Sequence, residues 1–132
     1  MKKILNILLL LLLTFIFYNS LQEGTISTNT SDIFVDKLLV FNPFNNITYF
    51  ELFIRKLAHF IEYFTLGCII FFIKKYNTLN NNISNTLIFT GILDELLQLI
   101  PINRSCSIYD MILDTLSILL AIILLKFIYK FK

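Results

Sequence analysis

Three groups of ionisable and amide side chains stand in or beside apolar sequence: Arg55, His59 and Glu62, then Asp94, Glu95 and Gln98, then Arg104, Asp110 and Asp114. In the first group the spacings are four and three, so the side chains leave one helix face, with Tyr63 beside them. Glu62 can hold the His59 imidazole in one tautomer or stabilise its cation, which makes the two a proton-handling pair. The carboxylates of the other groups cannot all stay ionised side by side without partners. A protonated acid, an ionised base and an arginine fork together suit acid/base chemistry on a phosphate or acyl group. In that chemistry His59 with Glu62 is the base or nucleophile unit, Asp94 or Glu95 the acid, and Arg55 and Arg104 the anion clamp.

Three other readings stay open. Asp94, Glu95, Asp110 and His59 could hold a divalent cation, although no HExxH or DxxD-type spacing is present. A proton or ion pathway would explain acids in membrane helices, but the opposite halves of the spans read as purely apolar, which disfavours a transporter. A structural ion-pair network is the fourth reading.

The elements that must position these residues are membrane helices. Over 132 residues, 57% of them hydrophobic, with a mean hydropathy of +0.77, the chain has too little polar surface for a soluble globule. An ionisable group at the centre of a membrane helix costs about 2.5–3.5 kcal/mol on insertion scales, so this many point to a shared polar environment. The sequence predicts one all-α domain over residues 1–132, with four transmembrane helices at about 4–21, 52–73, 83–100 and 108–127. Each is just long enough at about 1.5 Å per residue to cross a core of about 30 Å. The first span resembles a signal peptide but has no convincing small-x-small cleavage site and reads as uncleaved. Between spans 1 and 2, Ile33, Phe34, Leu38, Phe41 and Phe44, with Asp36 and Lys37 opposite, suggest a short amphipathic segment in the interface; an irregular loop is the alternative. Counted from the helix mouths, Asp94 and Asp114 each lie about 10 Å deep with His59 at a comparable level, so the three faces converge in one half of the bundle.

Charge sets the orientation. Of 11 Lys and Arg and nine Asp and Glu, Lys2, Lys3, Lys74, Lys75, Lys126, Lys130 and Lys132 fall on one side with no acid. That bias places both termini in the cytoplasm and opens the polar pocket outward. A net charge of +2 suggests no nucleic-acid partner. Cys68 and Cys106 differ in expected depth, so no disulfide is expected.

The chain resembles the VanZ-like family of small integral membrane proteins. Lys56, His59, Phe60 and Tyr63 match the family's lysine, histidine-phenylalanine and tyrosine pattern, and Asp94, Glu95, Gln98 and Arg104 match its acidic pair, glutamine and arginine. Asp110 falls on the aspartate that follows, and Ser20 and Gln22 resemble a serine and glutamine after the first span. Asp114 stands where asparagine is usual, Ser117 where glycine is usual, and Asn103 replaces a glycine at a site where asparagine also accepts a left-handed turn. The resemblance implies a cell-envelope function: the founding member is associated with low-level teicoplanin resistance, and related four-helix families have been proposed to act on lipid head groups.

The expected function is action on a lipid-linked or phospholipid head group in an outward-facing pocket, with Arg55, Lys56, Tyr63, Gln98, Arg104, Asp110 and Asp114 as binding residues. The alternative is a non-catalytic membrane protein that binds or shields a lipid, a wall precursor or a glycopeptide. No cofactor is expected, with a divalent cation at the carboxylates as the lesser alternative. Membrane lipids and a lipid-linked cell-wall precursor are the expected partners.

Overall fold

In the computed structural model, residues 2–23, 32–33, 35–38, 46–76 and 79–130 are described, and among them there is no strand. Helix α1 spans Lys2–Ser20, α2 Ile47–Tyr76, α3 Asn81–Thr86, α4 Thr90–Leu97 and α5 Ile108–Lys130. Three of them, α1, α2 and α5, are long and apolar enough to cross a membrane.

The span expected over 83–100 is not one continuous helix. A 3₁₀ turn at Leu87–Phe89 joins α3 to α4, and the helix ends at Leu97. The Asn-rich start, Asn81 to Thr86, is composed mainly of residue types that are weak helix formers. Thr90 Oγ1 donates to the Leu87 carbonyl at 2.5 Å, a local bond at the joint.

Helix α2 starts five residues before the expected 52 and ends three after 73, because its ends are capped. The Thr48 amide donates to Asn46 Oδ1 at 2.9 Å, which satisfies one free amide of the first turn. Lys74 and Lys75 stand in the last turn, where the helix dipole favours cations. Its 30 residues rise about 45 Å, more than a bilayer core.

The core lies between α1, α2 and α5. Tyr63, Leu66, Ile70 and Ile73 of α2 pack with Ile118 and Ile122 of α5 and Leu9 and Ile16 of α1, spacings of three, four or seven that keep each set on one helix face. The opposite faces carry exposed Leu, Ile and Phe, among them Leu10, Leu11, Phe15, Ile61, Leu116, Ile123 and Phe127, the surface a chain offers to lipid. Glycine permits the closest approaches. A Cβ on Gly67 would stand 2.5 Å from the Ile118 carbonyl oxygen, and one on Gly91 2.6 Å from Asp114 Cβ. Gly67 thus lets α2 touch the α5 backbone, and Gly91 seats α4 against Asp114.

Of the expected interfacial segment, residues 32–33 and 35–38 are helical and Val35 is buried; Phe34, Phe41 and Phe44 lie outside the described residues. The half of the bundle away from the polar groups is not purely apolar. Asn6 stands there in α1, its side-chain oxygen buried without a hydrogen-bond partner among the described residues. Cys68 and Cys106 are both free.

Candidate functional site

The three polar groups meet where the N-terminal halves of α2 and α5 face the C-terminal ends of α1 and α4. Asp94 and Glu95 on α4 and Asp114 on α5 are buried, Asp114 with no exposed surface. His59 Nδ1 lies 3.6 Å from Asp114 Oδ1, and its ring stacks with Tyr63 at an interplanar angle of 5°. Ligand atoms of His59, Asp94 and Asp114 all lie within 4.8 Å of one another. The carboxylate nearest His59 in this geometry belongs to Asp114, across the helix interface. Glu62, on the same face of α2 as expected, instead lines the cavity beside it.

That cavity, about 470 Å³, is bounded by α1, α2, the end of α4 and Leu38. Its lining is mixed: Arg55, His59, Glu62, Asp94, Gln98 and Arg104 are polar or charged, and Phe15, Ile16, Ile54, Leu57 and Ile61 are apolar. A molecule with a charged head and an apolar body matches such a lining.

Asp94 accepts hydrogen bonds from Ser20 Oγ and from Gln98 Nε2 at 3.2 Å. Ser20, buried at the end of α1, also lines the cavity. In the sequence it carries no charge and no distinctive spacing, and only the family pattern singles it out. Gln98 also donates to Glu95 Oε1 at 3.1 Å, so one amide bridges the acidic pair, as the helical spacings of three and four permit.

Glu95 points away from the cavity into the start of α5. Its Oε2 accepts the Ser107 amide at 2.8 Å, while Ser107 Oγ accepts the Asp110 amide at 3.3 Å. Ser107 is the N-cap of α5, and Glu95 occupies the place that the residue three beyond a cap takes in a capping box. That leaves Asp110 for Lys56, with Nζ to Oδ1 at 2.6 Å. Lys56 and Asp110 form a partly exposed pair on the far side of His59, at a separate small recess.

Arg104 is placed by the left-handed turn at Asn103, φ 60°. Its Nη1 donates to the Asn19 carbonyl at 2.6 Å and to those of Ser20 and Gln22 at 3.4 Å. Cations at a helix C-terminus satisfy its free carbonyls and its dipole, so Arg104 ties the α4–α5 connection to the end of α1. Burial and the nearby Arg55 charge pull its guanidinium below its ordinary value. Arg55, an exposed residue, lines the same cavity; two cations beside one opening favour an anion there.

Three apolar helices of membrane-spanning length around a cavity with buried carboxylates suit a multi-pass membrane protein. The VanZ/LLP1 family model matches residues 5–129, and the chain belongs to that family. No curated protein and no solved structure matches it.

Proposed function

We propose that this chain acts in the cell envelope on the phosphate of a lipid head group, phospholipid or lipid-linked precursor, taken into the cavity between α1, α2 and α4. The observation that carries the reading is the mixed lining of one space: Arg55, His59 and Glu62 together with Phe15, Ile16 and Ile54. Arg55 meets the phosphate, and Arg104, which lines the same cavity, holds its rim in place through the α1 carbonyls. His59, oriented by Asp114, takes the proton of an attacking hydroxyl as its oxygen bonds to phosphorus. The bond from phosphorus to the departing head-group oxygen breaks, and that oxygen receives a proton from Glu62 or Asp94. The helical run 81–97 serves as the fourth, interrupted span, and the lysine-rich ends place both termini in the cytoplasm with the cavity outward. By the family's association, the outcome for the cell is reduced sensitivity to teicoplanin.

The test is envelope lipid composition and teicoplanin sensitivity in cells holding wild type, His59→Ala or Arg55→Ala at equal abundance. Both variants are expected to match cells without the protein. If His59→Ala behaves as wild type, catalysis fails. If Arg55→Ala alone loses the phenotype, the cavity binds or shields its ligand without chemistry.

A further inference from the structure

We propose that His59, Asp94 and Asp114, brought together from α2, α4 and α5, bind one divalent metal ion with an open coordination position toward the cavity. Three donor atoms from three rigid helices lie within 4.8 Å of one another. Bonds of about 2.0–2.2 Å to a zinc-like ion draw donors somewhat closer than that, a change within reach of small side-chain rotations.

The independent observation is what these groups lack. Asp114 has no exposed surface, and beyond the His59 Nδ1 that stands 3.6 Å from its Oδ1 neither carboxylate oxygen has a partner within hydrogen-bond distance among the described residues; His59 Nδ1 and the neighbouring Tyr63 hydroxyl likewise lack a hydrogen bond there. A buried carboxylate without donors is costly, and buried charges are found paired or on metals. The nearby cations are engaged elsewhere or stand outside. Lys56 binds Asp110, Arg104 Nη1 is on the α1 carbonyls, and Arg55 is exposed.

The same criterion excludes the other carboxylates. Asp110 has Lys56, and Glu95 has the Ser107 amide and Gln98. One imidazole nitrogen and two carboxylate oxygens suit a borderline ion such as Zn²⁺ or Mn²⁺ better than Ca²⁺ or Mg²⁺, which prefer oxygen shells. Outer partners are present as well: Ser20 Oγ and Gln98 Nε2 donate to Asp94 and fix its orientation, the usual arrangement behind a metal-binding carboxylate.

Only the ion's use rests on the lipid-phosphate reading. There the open position would take a phosphate oxygen beside Arg55; with His59 and Asp94 held as ligands, Glu62 would take the proton of the attacking hydroxyl and return it to the departing head-group oxygen. Ion binding itself is independent of any head group.

The experiment uses the full chain purified in detergent, stripped with a chelator, reloaded with Zn²⁺ or Mn²⁺ alone, desalted and assayed by elemental mass spectrometry. Wild type is expected to retain one ion per chain, His59→Ala and Asp114→Asn none, and Asp110→Asn one. Ser20→Ala is expected to weaken binding about 10–100-fold, the scale of an outer-partner loss. Substoichiometric binding by wild type, or equal retention by Asp114→Asn, overturns the site. If the site variants do not fold, Co²⁺-loaded wild type decides: ligand-field absorption displaced by Zn²⁺ supports the site, and its absence overturns it. An ion-free wild type that still changes envelope lipids through His59 overturns the ion alone and leaves the lipid reading standing.

Discussion

The same two helices, α2 and α5, build both halves of this molecule, and the halves differ in what they leave unsatisfied. At the C-terminal ends of the pair, Gly67 lets α2 close on Ile118 and Ala121. Phe71, Phe72 and Tyr129 pack ring to ring, and Lys75 Nζ sits 3.3 Å from the centre of the Tyr129 ring. At the N-terminal ends Asp114 is buried and His59 half-buried, both without full hydrogen bonding among the described residues, beside a cavity of about 470 Å³. Packing explains the aromatic half by itself. The polar half holds costly groups that packing does not require, and the polar half is where function is proposed.

Breaking the aromatic half should damage stability first. Gly67→Leu drives a side chain into the Ile118 backbone, and overpacking of this kind costs about 3 kcal/mol; melting in detergent should fall sharply, with function lost as a consequence. Asp114→Leu sharpens the contrast from the other side. Removing a buried carboxylate that has no hydrogen-bond donor takes away a desolvation cost, so chelator-treated protein should melt no lower than wild type while the envelope phenotype disappears. A parallel loss of melting temperature and phenotype would make the polar half a structural network.

Smaller effects test the joints. Ser107→Ala removes the N-cap of α5 and should cost about 1 kcal/mol, and it should loosen Glu95 more than His59. Lys75→Ala, which removes the contact over Tyr129, should cost about 0.5 kcal/mol and leave teicoplanin sensitivity and lipid composition at wild-type values. A change in phenotype from Lys75→Ala would extend the site into the aromatic half.

Apolar run length was enough to find α1, α2 and α5, since a membrane helix is written in consecutive residues. The ends of α2 moved because Asn46 caps one and lysines favour the other, effects of single residues on a long pattern. The third segment broke at Leu87–Phe89, where six polar residues in and beside α3 outweigh the hydropathy of the window. Depth counting was enough to bring His59, Asp94 and Asp114 to one level, because rise per residue is fixed. Partner choice was not legible. It depends on how each helix is turned about its axis, and so His59 faces Asp114 rather than being paired mainly with Glu62, and Glu95 turns to the Ser107 amide. A metal triad drawn singly from three helices leaves no local spacing at all, which is why the sequence offered only a faint sign of one. Arg104 looked like a free fork above the pocket; the carbonyls at the end of α1 that take its Nη1 are 82 to 85 residues away in the chain.

The central claim is that the cavity of the polar half holds a phosphate-bearing lipid. Native mass spectrometry of the purified full chain tests it most directly. A phosphate-containing lipid should remain on wild type and on Lys75→Ala and be lost from Arg55→Ala. No retained lipid on wild type, or equal retention by Arg55→Ala, would contradict the account.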